Sequence, residues 1–338
     1  MKRSAACDHS RRMRSRVNPF IALTCALLTV VFTAPAQARV TSHESLRERI
    51  RQQLLQQINS DRGQAGLNPV LLDLQASAIA DRFCEQQIRD RSTGHFSLNG
   101  LSPYMRYSLG GGYDGLSENT AAWSANYHFA EDAIPALVLR SHRTMLSELP
   151  PADGHRRTIL DPFATHVGLG FAWQRGEVRM AEEFLRRYVG FLDAVPRHAS
   201  TSSRLTLRGK PLSGYDVAAI TIHFEKQPKP ISRRTASRIT GYGLPVRRRD
   251  YRPRLATTYG RNPGGMIVAR NDEYVDGKSG DFAIAQDGLF EFPIPFRDGN
   301  GVYTIVVWVA KQGGGEAFPV SNISIFVSDR DSSRTESR

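Results

Sequence analysis

The sequence predicts an α+β protein in two parts, a helix-containing first half and an all-β second half. Three observations predict it. Apolar residues recur at helical spacing in residues 45–59, from about Asp73 onward through Ile88, and in residues 136–149. A glycine-laced strand pattern follows at Val167, Gly168, Leu169, Gly170 and Phe171. Beyond residue 204 the chain turns into short β-branched or aromatic runs between Gly, Pro, Asn and Asp turns. At 338 residues, 40% hydrophobic and 23% charged, the chain is long enough for two folded domains.

Residues 1–38 read as a cleavable export signal. Lys2, Arg3, Arg11, Arg12, Arg14 and Arg16 form a basic leader, residues 20–32 form an apolar run, and Ala36-Gln37-Ala38 matches a small-x-small cleavage site. The run is too short to span a bilayer comfortably, and Met13 offers an alternative start. The expected location is periplasmic or extracellular. Cleavage removes Cys7 and Cys25, leaving Cys84 with no partner for a disulfide. Cys84 sits in a helical apolar pattern and is expected as a buried small hydrophobe.

The net charge is +12, and removal of six basic residues and one acid lowers it to +7. Residues 226–254 hold ten basic residues and one acid. Such a tract attracts polyanions, and Arg233, Arg234, Arg247, Arg248 and Arg249 are its candidate contacts. An anionic envelope glycan or lipid is the expected partner. Export and the lack of interleaved aromatics disfavour nucleic acid.

In the first helix Leu46, Ile50, Leu54 and Ile58 form one stripe. Asp73 is a plausible cap for the second helix, with Leu74, Ala78, Phe83 and Ile88 on or near its buried face. The helix at 136–149 offers Leu137, Leu139, Met145 and Leu146 for burial. Its His142 is read as solvent-facing.

Four short pieces then stand out: Gly94-His95-Phe96-Ser97, Ser117-Glu118-Asn119, Asp153-Gly154-His155-Arg156-Arg157-Thr158-Ile159-Leu160, and Val167 to Phe171 as above. In order and spacing they resemble the CAP superfamily (cysteine-rich secretory proteins, antigen five, pathogenesis-related class 1 proteins), in particular its bacterial exported members. Ser117 stands where the family has Gly, and the 136–149 helix lacks the family's Trp. The match covers residues 46–189.

The resemblance implies a three-layer α-β-α sandwich at 39–192. It also implies a cleft lined by His95, Glu118, Glu148 and His155, with His95 and His155 binding a divalent metal such as zinc. Imidazole and carboxylate suit that ion, and Glu118 or Glu148 beside a metal-bound water is a minimal hydrolytic apparatus. No His-Glu-x-x-His helix, Gly-x-Ser-x-Gly elbow or P-loop accompanies them. Catalysis through Glu118 or Glu148 is therefore the alternative to ligand or metal binding. A lipid-binding or purely structural role is a further alternative.

Residues 193–204 read as a Pro/Ser-rich linker. Residues 205–328 read as a β-sandwich of immunoglobulin-like type, with strands expected at 205–207, 217–224, 282–284, 301–310 and 323–327. A hairpin-like turn is expected at Asp298-Gly299-Asn300-Gly301. Residues 329–338 read as a frayed tail.

Overall fold

The computed structural model describes residues 34–255 and 257–329. Most of the expected export signal and all but the first residue of the expected tail lie outside the described residues. The chain divides into two compact units, residues 1–46 and 47–338. In the first, the described residues are helical and open helix α1 (Ala34–Gln64). The rest of the fold lies within the second unit, and it is α+β.

Its first half is a three-layer arrangement around a sheet of four strands. These are β1 (Leu71–Leu72), β2 (Gly115–Ser124), β3 (His166–Gln174) and β4 (Glu177–Arg186), in spatial order β1-β3-β4-β2. β1 runs parallel to β3; the other pairings are antiparallel. Helix α2 (Leu74–Asp90) packs on one face, against β3 and β4. Asp73 caps it, accepting the Ala76 N–H at 2.7 Å.

The buried stripe of α2 is Ala76, Ile79, Ala80, Phe83, Cys84 and Gln87, whereas Leu74 is 68% exposed and Ala78 is exposed. The expected face is thus shifted by two residues at its start. The reason is close packing: a Cβ on Gly168 would lie 2.4 Å from the Ala76 Cβ, and one on Gly170 would lie 2.3 Å from the Ala80 Cβ. Small residues must line that side, and larger ones go elsewhere. Cys84 is fully buried there, as expected.

Helix α3 (Pro103–Leu109) follows α2, and helix α4 (Ile134–Leu146) precedes the short helix α5 (Gly154–Ile159). α4 buries Ile134, Val138, Ser141, His142 and Met145, while Leu137, Leu139 and Leu146 are only partly covered. Of the four residues expected inside, only Met145 is buried. His142 is inside because two carboxylates meet it there, described below. Arg62 of α1 is fully buried and donates to the carbonyls of Ile159 (2.7 Å) and Asp161 (3.0 Å), pinning α5 and the turn after it.

The second half is a two-sheet sandwich. One sheet holds β5 (Val189–Phe191), β7 (Leu205–Pro211), β12 (Ala283–Ile284) and β13 (Phe290–Ile294) in the order β12-β13-β7-β5. The other holds β6 (His198–Ala199), β8 (Tyr215–Glu225), β9 (Arg248–Tyr251), β14 (Gly301–Lys311) and β16 (Ile323–Val327) in the order β6-β16-β14-β8-β9, with β15 (Phe318–Pro319) beside β14. Leu207, Ile220, Phe290, Phe292, Tyr303, Ile305 and Ile325 fill the core between them. Helix α6 (Arg233–Ala236) lies between β8 and β9, and β10 (Thr257–Arg261) and β11 (Ile267–Asn271) form a separate two-stranded hairpin.

The turn at 298–301 is not a hairpin. It connects β13 to β14, which belong to different sheets, and its Asp298 N–H donates to the Tyr303 hydroxyl at 2.8 Å. Within residues 193–204, Val195 is buried and β6 pairs in parallel with β16.

The two halves share an edge. β2 ends the four-stranded sheet, and residues of the second half accept from three N–H groups at its start. Gly115 N–H donates to the Val320 carbonyl (2.8 Å), Leu116 N–H to Asn322 Oδ1 (2.7 Å), and Glu118 N–H to the Tyr242 hydroxyl. The first part of an edge strand that would otherwise be open is thereby covered.

Candidate functional site

His95, Glu118, Glu148 and His155 gather at this edge. Residues 118 and 119 are consecutive in β2, so their side chains point to opposite faces of the sheet. Glu118 faces the α2 side with His95. Asn119 faces the other side and donates to the His155 carbonyl (3.2 Å). The two histidines straddle the edge strand with ring centroids 6.5 Å apart.

Each histidine is held by one carboxylate through Nδ1. His95 Nδ1 lies 2.9 Å from Glu118 Oε1, and His155 Nδ1 lies 2.5 Å from Glu148 Oε1. Glu148 also accepts the His155 backbone N–H at 3.0 Å, which fixes the ring to the start of α5. Among the described residues neither Nε2 has a hydrogen-bond partner. A carboxylate accepting from Nδ1–H leaves Nε2 as the basic nitrogen. This suits a two-imidazole site with open positions. Among the described residues, no three His, Cys, Asp or Glu side chains are grouped to enclose a metal ion.

The His95 side is buried and charged. Glu118 accepts from the Arg106 guanidinium, whose other nitrogen donates to the His95 carbonyl at 2.6 Å. The guanidinium lies 3.5 Å from the centre of the Phe83 ring. Glu183, opposite Glu118 in β4, points into the same cluster. Burial alone would raise the Glu118 carboxyl, but Arg106 and then His95 hold it below the ordinary value. Burial first, and then the Glu118 charge, push Glu183 well above it. The two carboxyls are therefore pushed in opposite directions, and Glu183 Oε2 has no hydrogen-bond partner among the described residues.

The His155 side is open by contrast, its ring and the Glu148 side chain being partly exposed. A polar depression of about 540 Å³ lies beside it, lined by Ser117, Asp153, Arg156, Arg157, Asp161 and Arg186 among others, and none of the four expected cleft residues lines it. His166 is half-buried with Nδ1 2.9 Å from its neighbour Thr165 Oγ1, away from the pair.

Sequence reasoning missed three members of the site. Arg106 lies on α3, where nothing in the local sequence pattern marks it as a partner of Glu118. Glu183 lies in Ala181-Glu182-Glu183-Phe184, where the two acids face opposite layers and no alternation distinguishes them. Tyr242 comes from the second half, and its ring centroid lies 4.9 Å from that of His95. No local signal announces it.

The basic tract is partly neutralised within the chain. Arg247 and Arg249 both pair with Asp298, the latter at 3.0 Å, and Arg248 lies 3.4 Å from Asp250. Arg233 and Arg234 are exposed on α6.

No family model and no curated protein matches the chain. Solved structures similar to it include an extracellular protein containing an SCP domain from Bacillus anthracis strain Ames. That likeness is at 21% identity over 40% of each chain, with a TM-score of 0.32. Another is an outer surface protein from Borrelia burgdorferi, at 15% identity over 41% of this chain and 93% of that one, with a TM-score of 0.34. The chain spans about two-fifths of the length of the first. No helix among the described residues is long and apolar enough to cross a membrane.

Proposed function

We propose that this chain is an exported CAP-type protein whose edge cleft binds a divalent metal or small ligand between His95 and His155. One observation carries the reading: both rings are oriented by a carboxylate on Nδ1, and both Nε2 atoms are left without a partner among the described residues. Histidines that ligate metal are commonly held in this way. His95 and His155 would hold the ion, such as zinc, and Glu118 and Glu148 would fix the tautomers. When bound, such an ion supplies a Lewis acid and an acidified water. Glu118 is committed to Arg106 and His95, so it serves as an orienting group. Glu148 is likewise engaged by His155 through both oxygens, and it differs from Glu118 in being partly exposed, so it is the one that water could reach.

Hydrolysis remains the alternative, and a purely structural cluster is the third reading. The basic stretch on the sandwich, with Arg233 and Arg234 exposed, would serve contact with an anionic envelope surface. The test is a Zn²⁺ titration of the wild-type chain against His95→Ala/His155→Ala. The reading expects saturable binding that the double variant lacks. Equal binding in both, or none in either, would remove the metal from the proposal.

A further inference from the structure

Tyr242 occupies the His95 end of the cleft as a ligand would. Its ring packs at 59° against the His95 imidazole, and its hydroxyl accepts the Glu118 N–H, an edge-strand donor that β4 does not use. Leu244, two residues on, packs with Tyr242 against the cluster of Tyr104, Met105, Val302 and Phe326.

The segment carrying these two side chains is otherwise lightly held. Residues 239–245 have no regular secondary structure, and among the described residues the backbone N–H groups of 239–244 make no hydrogen bond. Its one strong backbone contact is the Pro245 carbonyl, which accepts from His223 Nδ1 at 2.7 Å. The preceding stretch is docked firmly. Ile231 N–H donates to the Leu98 carbonyl (2.8 Å), Thr93 Oγ1 bonds Ser237 Oγ (3.1 Å), and a Cβ on Gly94 would meet the Ala236 carbonyl at 2.9 Å. A fixed approach thus delivers a loosely tied, tyrosine-bearing loop to the cleft. Segments with few backbone bonds open at low cost.

We propose that the cleft is a receptor for an extended peptide carrying a tyrosine, and that residues 239–245 fill it in cis. A partner chain presenting the same chemistry then competes with the internal loop, and its apparent affinity is its intrinsic affinity multiplied by the fraction of time the loop is unseated. The inference rests on reading the cleft as a binding site and does not depend on a metal being bound there.

The probe is a fluorescein-labelled peptide of residues 238–246, Arg-Ile-Thr-Gly-Tyr-Gly-Leu-Pro-Val, measured by anisotropy with the full chain. Tyr242→Ala vacates the pocket and is expected to bind the peptide about tenfold or more tightly than wild type. A peptide with alanine for the tyrosine is expected not to bind. Equal affinity in both chains, or equal binding of the alanine peptide, overturns the proposal.

The wild-type chain supplies a second readout that depends on no variant folding. Saturating peptide should displace the internal loop and speed tryptic cleavage after Arg238 and Arg247 severalfold. Unchanged cleavage at saturating peptide overturns the proposal as well. A Zn²⁺ titration run alongside separates the two ideas. Zinc binding without peptide binding sinks this inference alone, and peptide binding without zinc sinks the metal reading alone.

Discussion

The four-stranded sheet carries a histidine–carboxylate cluster on each face, and the two are built differently. On the α2 face, His95 commits one nitrogen to Glu118, and its other nitrogen has no partner among the described residues. On the opposite face, His142 commits both: Nδ1 lies 2.8 Å from Glu182 and Nε2 lies 3.0 Å from Asp61. Glu182 is tied further to Asn119 at 3.2 Å. His142 is fully buried, against the expectation of a solvent-facing residue. A helix face read from apolar spacing alone places a histidine outside, because two partners distant in sequence are not visible in that spacing. A closed ring of partners makes a brace that ties α1, α4 and β4. A ring with one nitrogen unpartnered among the described residues is a candidate ligand.

The largest effect that sharpens this contrast is expected from His142→Ala. It leaves Glu182 and Asp61 facing each other in a buried space, and removing one partner of a buried ion cluster costs about 3–5 kcal/mol. Denaturant unfolding should show that loss, with zinc binding unchanged if the chain is kept folded at low denaturant. The same histidine sets a pH dependence. Burial would lower its pKa, but Glu182 and then Asp61 outweigh that and raise it above 6.5. Its contribution is therefore complete below about pH 6.5 and lost as pH rises through the folded value. The difference in unfolding free energy between wild type and His142→Ala should shrink as pH is raised, and a constant difference would break the assignment.

Next in size is Glu183→Gln. A glutamate with a raised folded pKa costs stability progressively as pH climbs past the ordinary value of 4.5 toward the folded one. Glutamine keeps an N–H donor toward Glu118 without the titration. The variant should be more stable than wild type at pH 7.5 and no more stable at pH 4, measured by thermal unfolding at both. A loss at pH 7.5 would mean that Glu183 is ionised in the fold.

The smallest effect on stability is expected from His155→Ala. Its ring is partly exposed and its partner Glu148 stays in contact with solvent, so the cost should be within about 1 kcal/mol. Zinc affinity should nonetheless fall. Stability lost without any change in zinc affinity would move His155 into the same class as His142.

Much of the fold was legible because its signals are local. Asp73 caps α2 as its position suggests, and the runs at 205–207, 217–224, 301–310 and 323–327 became β7, β8, β14 and β16. β13 was missed because Pro293 interrupts its pattern, yet that residue pairs with Thr206 in the sheet. The α2 face was misplaced because the glycines of β3 demand small neighbours, so the largest apolar residues do not mark the contact. Of the site, the motifs supplied His95, Glu118, Glu148 and His155. They did not supply Arg106, Glu183 or Tyr242, whose roles depend on strand register and on packing between residues 124 positions apart in sequence.

The central claim is that an unpartnered nitrogen separates a site from a brace. Isothermal titration with Zn²⁺ of wild type, His95→Ala/His155→Ala and His142→Asn tests it directly. The account predicts binding in wild type and His142→Asn and none in the double variant. Binding retained by the double variant, or lost in a folded His142→Asn, would contradict it.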